Sequence, residues 1–414
     1  MESSSTVCVI GLGYIGLPSA AILAANGSRV IGVDVDAHRV AEINAGRVPF
    51  VEPDLESVVA GVVAQGRLSA QLDVPAADVF IVAVPTPFGH DRDVDPSFVR
   101  AAAAAIAPVL RGDELIILES TSPPGLTEKM AAFVLEQRPD LSGDGGMPNS
   151  LYFAHCPERV LPGRIMTEIV DNDRIIGGVT PLAGERARAL YATFCKGSLL
   201  VTDARTSEMA KLAENSFRDV NIAFANELSV ICDRLGIDVW ELIELANRHP
   251  RVNILQPGPG VGGHCIAVDP WFIVSAAPNE ARLIRRAREV NDHKPDFVVE
   301  KVVAEASAFR APRIVALGIA FKADIEDLRE SPSRAIVGRL AEKLPEARLL
   351  VVEPHIERLP SELESLANVE LTELNEAIAL ADVVLILVDH QLFKQLDPKA
   401  LAGKVVVDTK GLLR

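Results

Sequence analysis

Apolar runs of three to six residues recur along the chain, and most lead into stretches whose apolar positions repeat at helical spacing. The first, Val7 to Ile10, passes through Gly11-Leu12-Gly13-Tyr14-Ile15-Gly16 into an Ala-rich amphipathic segment that stops at Asn26-Gly27. That order predicts strand, turn, helix and cap. A second run, Val30 to Val33, ends in Asp34, and further strands are expected at Val79 to Val84 and Leu115 to Leu118. Fully apolar strands alternating with helices indicate a sheet covered on both faces, so residues 1–200 are expected to form a parallel, doubly wound domain.

From about Thr206 to Arg234 the helical pattern runs without Pro or Gly as far as Gly236, and Asp238-x-x-Glu241 has the form of a capping box opening another helix. Residues 201–300 therefore read as helical, with a long helix that could pack against a second copy of the chain. Strand and helix alternate again from Arg313 to Leu317, through Leu349 to Val352 and Val383 to Val388, to Val405 to Val407. No glycine fingerprint comes after Leu317, where Gly318-Ile319-Ala320-Phe321-Lys322 stands instead. The expected architecture is α/β: two Rossmann-like doubly wound domains, 1–200 and 301–414, joined by a helical middle domain, 201–300.

Composition narrows the function classes. At 414 residues the chain exceeds what one hydrophobic core organises. A net charge of −16 leaves little attraction for nucleic acid or an anionic membrane, so an anionic ligand would have to be met by local basic groups. No apolar run reaches the length of a membrane span and no basic-then-apolar leader opens the chain, which gives the expectation of a cytoplasmic enzyme. Five cysteines, widely spaced and without a C-x-x-C pair, predict neither a disulfide framework nor a metal site.

Three features carry candidate chemistry. In Gly11-x-Gly13-x-x-Gly16 the glycines serve a tight turn, close approach of a pyrophosphate and helix–strand packing, and Asp34, 23 residues after Gly11, stands where a ribose-binding acid is placed. The acid favours NAD over NADP, with Arg39 the competing basic group nearby. Lys211, Asn215 and Arg218 fall on one stripe of the long helix amid Leu212, Ala213, Phe217, Val220 and Ile222, which predicts a polar cleft in a mostly buried helix, the alternative being a solvated face. Cys265 follows the glycine-rich run Gly258 to Gly263, with Asp269 four residues on, and a thiol so placed can add to an aldehyde.

Several motifs together resemble the UDP-glucose/GDP-mannose dehydrogenase family over nearly the whole chain. They are the Gly11 fingerprint, Val84-Pro-Thr86-Pro, Glu119-Ser-Thr121-Ser-Pro-Pro-Gly125, Cys156-Pro-Glu158-Arg159-Val160-Leu-Pro-Gly163, Lys211 to Asn226, Gly-Gly-His-Cys265, and Gly318-Ile-Ala-Phe321-Lys322 through Arg329-Glu-Ser-Pro332. The resemblance implies oxidation of a sugar nucleotide's C6 alcohol to a carboxylate by NAD in a homodimer. It implies Cys265 as nucleophile, Lys211 as proton donor and acceptor, and Asp269 with Asn215 as a water-orienting pair, with Thr121 and Glu158 beside them. Cofactor contacts implied are Gly11, Gly13, Tyr14, Ile15, Gly16, Asp34, Arg39, Thr86, Thr121 and Arg329. For the UDP-sugar they are Arg159, Val160, Lys211, Asn215, Arg218, His249, Arg251, Gly262, Phe321 and Lys322. Ile266, Ala267 and Val268, ahead of Asp269, depart from the Cys-x-Pro-Lys-Asp of UDP-glucose enzymes and are similar to the branch acting on UDP-N-acetylmannosamine. UDP-N-acetylglucosamine and UDP-glucose remain alternative substrates. A single-step hydroxyacid-type dehydrogenase would not need Cys265 or the third domain, and an NAD-responsive regulator would not need Lys211, Asn215, Cys265 and Asp269 together.

Overall fold

The computed structural model describes residues 5–87, 94–263 and 266–413. It separates into two compact units, Met1–Ala213 with Trp271–Ala276, and Glu214–Pro270 with Ala277–Arg414.

In the first unit, eight strands form one sheet: β1 (Thr6–Ile10), β2 (Arg29–Val33), β3 (Leu68–Gln71), β4 (Val79–Val82), β5 (Leu115–Leu118), β6 (Tyr152–His155), β7 (Arg174–Gly178) and β8 (Leu199–Asp203). Their spatial order is β3-β2-β1-β4-β5-β6-β7-β8. Successive side chains of a strand leave by opposite faces. Val7 and Val9 accordingly enter one buried cluster, and Cys8 and Ile10 another. Two apolar faces require two layers of helices, which is why β1 reads as an unbroken apolar run. The order reverses between β1 and β4, so the loops leaving these strands part and open a crevice beyond their carboxyl ends. One expectation is corrected: the sheet is not wholly parallel, because β7 pairs with β6 antiparallel and β8 runs alongside β7.

In the second unit, β9 (Arg313–Leu317), β10 (Arg348–Val352), β11 (Val369–Leu371), β12 (Val383–Ile386) and β13 (Val405–Asp408) form a parallel sheet in the order β11-β10-β9-β12-β13. Alternation again divides the core, with Ile314 and Ala316 on one face and Val315 and Leu317 on the other. The reversal here lies between β9 and β12.

The central helix, Ala204–Leu235, is 32 residues long. It starts where the Asp203 carboxylate accepts the Thr206 N–H and hydroxyl at 2.9 and 2.6 Å. It stops at Gly236, whose φ of +68° is left-handed, with Ile237 N–H reaching back to Cys232 O at 2.9 Å. Among the described residues no helix is long and apolar enough to cross a membrane.

Candidate active site

The crevice of the first sheet is built for a dinucleotide. Gly11 has φ of +91°, and a Cβ there would stand 2.5 Å from Ala83 O, while one on Gly16 would stand 1.8 Å from Gly11 O. Both glycines are required by the protein's own packing. Gly13 is not: the place its Cβ would occupy has nothing within 4 Å. A bare backbone beside open space, leading at once into the N-terminus of helix Gly16–Ala25, fits a pyrophosphate.

Asp34 is buried at the end of β2 and accepts the N–H groups of Leu12 and Asp36 at 2.9 and 3.0 Å and Arg39 Nη1 at 2.9 Å. Burial pushes its carboxyl up, but these backbone N–H groups and the guanidinium outweigh that and hold it below the usual range. Three bonds leave a carboxylate one acceptor site, enough for a ribose hydroxyl. Arg39 is occupied by the acid rather than held out for a 2′-phosphate, which fits NAD. Tyr14 is partly exposed over Phe50, ring centroids 4.3 Å apart, and Ile15 is half-buried. Across the reversal, Thr86 Oγ1 donates to Thr121 O at 2.8 Å, tying the β4 loop to the β5 loop.

Beneath that crevice lies a set of buried charges. Glu119 accepts Ser19 Oγ at 2.9 Å and Tyr191 Oη at 2.7 Å, and burial pushes its carboxyl up to about 7. Glu158 accepts the Arg159 N–H at 2.8 Å and Arg174 Nη2 at 2.7 Å. Val160, next in the same loop, is half-buried against the core, and Arg159 donates to Asp173 O. Glu208, on the central helix, accepts Gly125 N–H, Thr127 N–H and Thr127 Oγ1, fastening the loop that leads on from Thr121. Sequence reasoning did not single out Arg174 or Glu208. The available signals were an arginine heading an otherwise apolar strand and an acid one turn before Lys211.

On the central helix Lys211 is buried within the first unit, and Asn215 is buried within the second. Asn215 Nδ2 donates to a carboxylate oxygen of Asp269, and Arg218 donates to the Asn215 carbonyl. Asp269 opens helix Asp269–Ala276 and is 3% exposed. The spacing thus brings Asn215, Arg218 and Asp269 together. Phe217, expected among buried flanks, is instead 70% exposed. At about 100° per residue it stands roughly 200° around the helix from Asn215, so burying one turns the other outward.

The glycine-rich loop is held at both ends of its described part. Gly258 N–H donates at 2.9 Å to Asn226 Oδ1 of the central helix, and Asn226 Nδ2 bonds the buried Asn291 at 2.9 Å. At Gly262 and Gly263 an added Cβ would meet Phe321 at 2.9 Å in each case, so the two loops lie in contact only because both residues lack side chains. Cys265 lies outside the described residues. Lys322 is exposed beside Phe321, Arg329 forks the Asp327 carboxylate, and His249 accepts the Arg251 N–H at 3.3 Å on the surface.

The NAD-binding, central and UDP-binding domains of the UDP-glucose/GDP-mannose dehydrogenase family match residues 5–195, 205–293 and 315–414. An NDP-N-acetyl-D-galactosaminuronic acid dehydrogenase of Ralstonia nicotianae is 56% identical over 98% of this chain and 96% of its own. A UDP-N-acetyl-D-mannosamine dehydrogenase of Yersinia pestis is 56% identical over the whole of both chains. A UDP-N-acetylmannosamine dehydrogenase structure from Pyrococcus horikoshii superposes with a TM-score of 0.86 at 36% identity, covering 99% of this chain and 96% of that one. With an open dinucleotide crevice in the first unit and the family's UDP-binding domain in the second, the chain belongs to the UDP-glucose/GDP-mannose dehydrogenase family and is an NAD-dependent UDP-sugar dehydrogenase.

Proposed function

We propose that the protein oxidises the C6 alcohol of UDP-N-acetyl-D-mannosamine to the carboxylate in two successive oxidations. The observation that carries this reading is the buried Asn215–Asp269 pair with Arg218 upon it, because a single alcohol oxidation needs no water-orienting carboxylate. NAD, when bound, supplies the hydride acceptor for both oxidations. Lys211 takes the hydroxyl proton as the alcohol becomes an aldehyde. The Cys265 thiolate then bonds to C6, and Lys211 returns its proton to the resulting oxyanion to give a thiohemiacetal. Its oxidation leaves a thioester, and the Asn215–Asp269 pair holds the water that adds to C6 as the C–S bond breaks. The thiolate leaves and the carboxylate forms. Thr121 and Glu158, the latter bonded by Arg174, are the further residues assigned to the reaction.

Substrate choice rests on relatives and on Ile266 to Val268. Proteins acting on N-acetylated mannosamine and galactosamine nucleotides are similar to this chain at equal identity, so the acetamido group is the common element and a galactosamine epimer is the second reading. NAD reduction with UDP-N-acetylmannosamine, UDP-N-acetylgalactosamine, UDP-N-acetylglucosamine and UDP-glucose tests it. The mannosamine nucleotide should lead in kcat/KM by at least about tenfold, about 1.4 kcal/mol of differential transition-state binding. Preference for UDP-glucose overturns the reading.

A homodimer is the reading of the same helix. Phe217, Phe224 and Ile231 recur every seven residues and are 70%, 50% and 46% exposed, a stripe that a second copy would cover. Light scattering should give twice the 44.4 kDa chain mass, and Phe224→Lys should halve it. A monomeric unsubstituted chain contradicts this.

A further inference from the structure

Asp324, His355 and His390 place ligand atoms within 4.8 Å of one another beyond the carboxyl ends of β9, β10 and β12. Hydrogen bonding gives the cluster a different use. Asp324 N–H donates to His390 Nδ1 at 2.9 Å, so that nitrogen is an acceptor and the ring proton sits on Nε2, 3.2 Å from the Glu353 carboxylate. Both ring nitrogens are thereby engaged and neither is left for a metal ion. Glu353 in turn accepts the N–H groups of Ile319 and Ala320 at 2.8 and 3.0 Å, and Gln391 N–H returns to Asp324 Oδ1 at 2.9 Å. The loop from Ile319 to Asp324 is therefore fastened at its start by Glu353 and at its end by His390. Both side chains are fully buried.

Phe321 and Lys322 lie between those two fastenings, and Phe321 packs on Gly262 and Gly263. The Asp324 backbone has φ of +60°, left-handed, a conformation that aspartate tolerates better than most residues. We propose that Glu353 and His390 form a positioning pair that shapes the Ile319–Asp324 loop to receive the uridine diphosphate half of the substrate. The pair touches no reacting atom. It acts through Phe321 and Lys322, and so rests on the UDP-sugar reading and on the contacts with the sugar nucleotide that the family resemblance implies for these two residues.

UDP alone is the direct probe, because it tests the loop whichever sugar is the substrate. His390→Ala should weaken UDP binding about tenfold by calorimetry and raise KM for the UDP-sugar by the same factor, the effect of losing about one buried hydrogen bond. KM for NAD should change less than twofold. Glu353→Ala should behave alike, since it removes the oxygen that accepts the Ile319 N–H, the Ala320 N–H and His390 Nε2–H. Glu353→Asp, which retains the carboxylate, should recover part of the loss and serves if the other variants fail to fold. Unchanged UDP affinity in folded His390→Ala, or equal rises in both KM values, overturns the proposal. If UDP binding behaves as predicted while no UDP-N-acetylhexosamine is oxidised, the substrate reading fails and the positioning pair stands.

Discussion

The two sheets solve the same local problem and then part. In each, the first strand of the half ends in a left-handed glycine, Gly11 at φ +91° and Gly318 at φ +88°. Its N–H donates to the last residue of the neighbouring strand, Val33 O at 2.8 Å and Val352 O at 2.9 Å. The next residue of that neighbour is an acid, Asp34 or Glu353, and it accepts the N–H after the glycine, Leu12 or Ile319, at 2.9 or 2.8 Å. Beyond this point the first sheet enters a helix at Gly16 and leaves Gly13 beside open space, whereas the second carries a loop as far as Ser331 and closes its acid against His390. One frame thus ends in an open turn without side chains in one sheet and in an acid closed against a histidine in the other. The chemistry lies in the residues after the glycine, not in the fold.

Substitution at the glycines should separate these uses most strongly. A Cβ on Gly318 would stand 2.4 Å from Val388 Cβ, so Gly318→Val should cost about 3 kcal/mol of stability through overpacking and left-handed strain. Gly13→Val, facing open space, should leave urea unfolding within about 0.5 kcal/mol yet raise KM for NAD about a hundredfold. Equal destabilisation by both would remove the distinction between packing glycine and cradle glycine.

Buried acids of the two units differ in sign as well. Glu119 has its carboxyl raised from 4.5 to about 7 chiefly by burial, its hydrogen bonds coming from the neutral hydroxyls of Ser19 and Tyr191, so the native state holds a proton that the unfolded chain releases near 4.5. Its contribution is complete below pH 4.5 and is lost as pH rises through 7, by roughly 3 kcal/mol at 1.36 kcal/mol per pH unit. Glu353 is held below its ordinary value: burial alone would raise it, but His390 and the Ile319 and Ala320 N–H groups prevail. Its contribution is present above the ordinary carboxylate range and lost in acid. Glu119→Gln should therefore be more stable than the unsubstituted protein at pH 8 and no more stable at pH 5. A difference independent of pH contradicts the account.

Legibility in the sequence tracked the range of the interactions. Gly11-x-Gly13-x-x-Gly16 and Asp34 were readable because their constraints are local, a turn, a helix start and the end of a strand. Strands β1, β4 and β5 were readable as runs apolar on both faces. The reversal of β7 was not, since Arg174-Ile-Ile-Gly-Gly carries no mark of strand direction. The outward turn of Phe217 was hidden in a helix with apolar residues on several sides. Arg174 with Glu158, and His390 with Glu353, are pairs 16 and 37 residues apart that no short-range pattern joins.

The proposed reaction oxidises one carbon twice. The direct measurement is the amount of NADH formed per UDP-N-acetylmannosamine consumed when the reaction is run to completion. The account predicts two, with the carboxylate as product. One NADH with an aldehyde accumulating would contradict it.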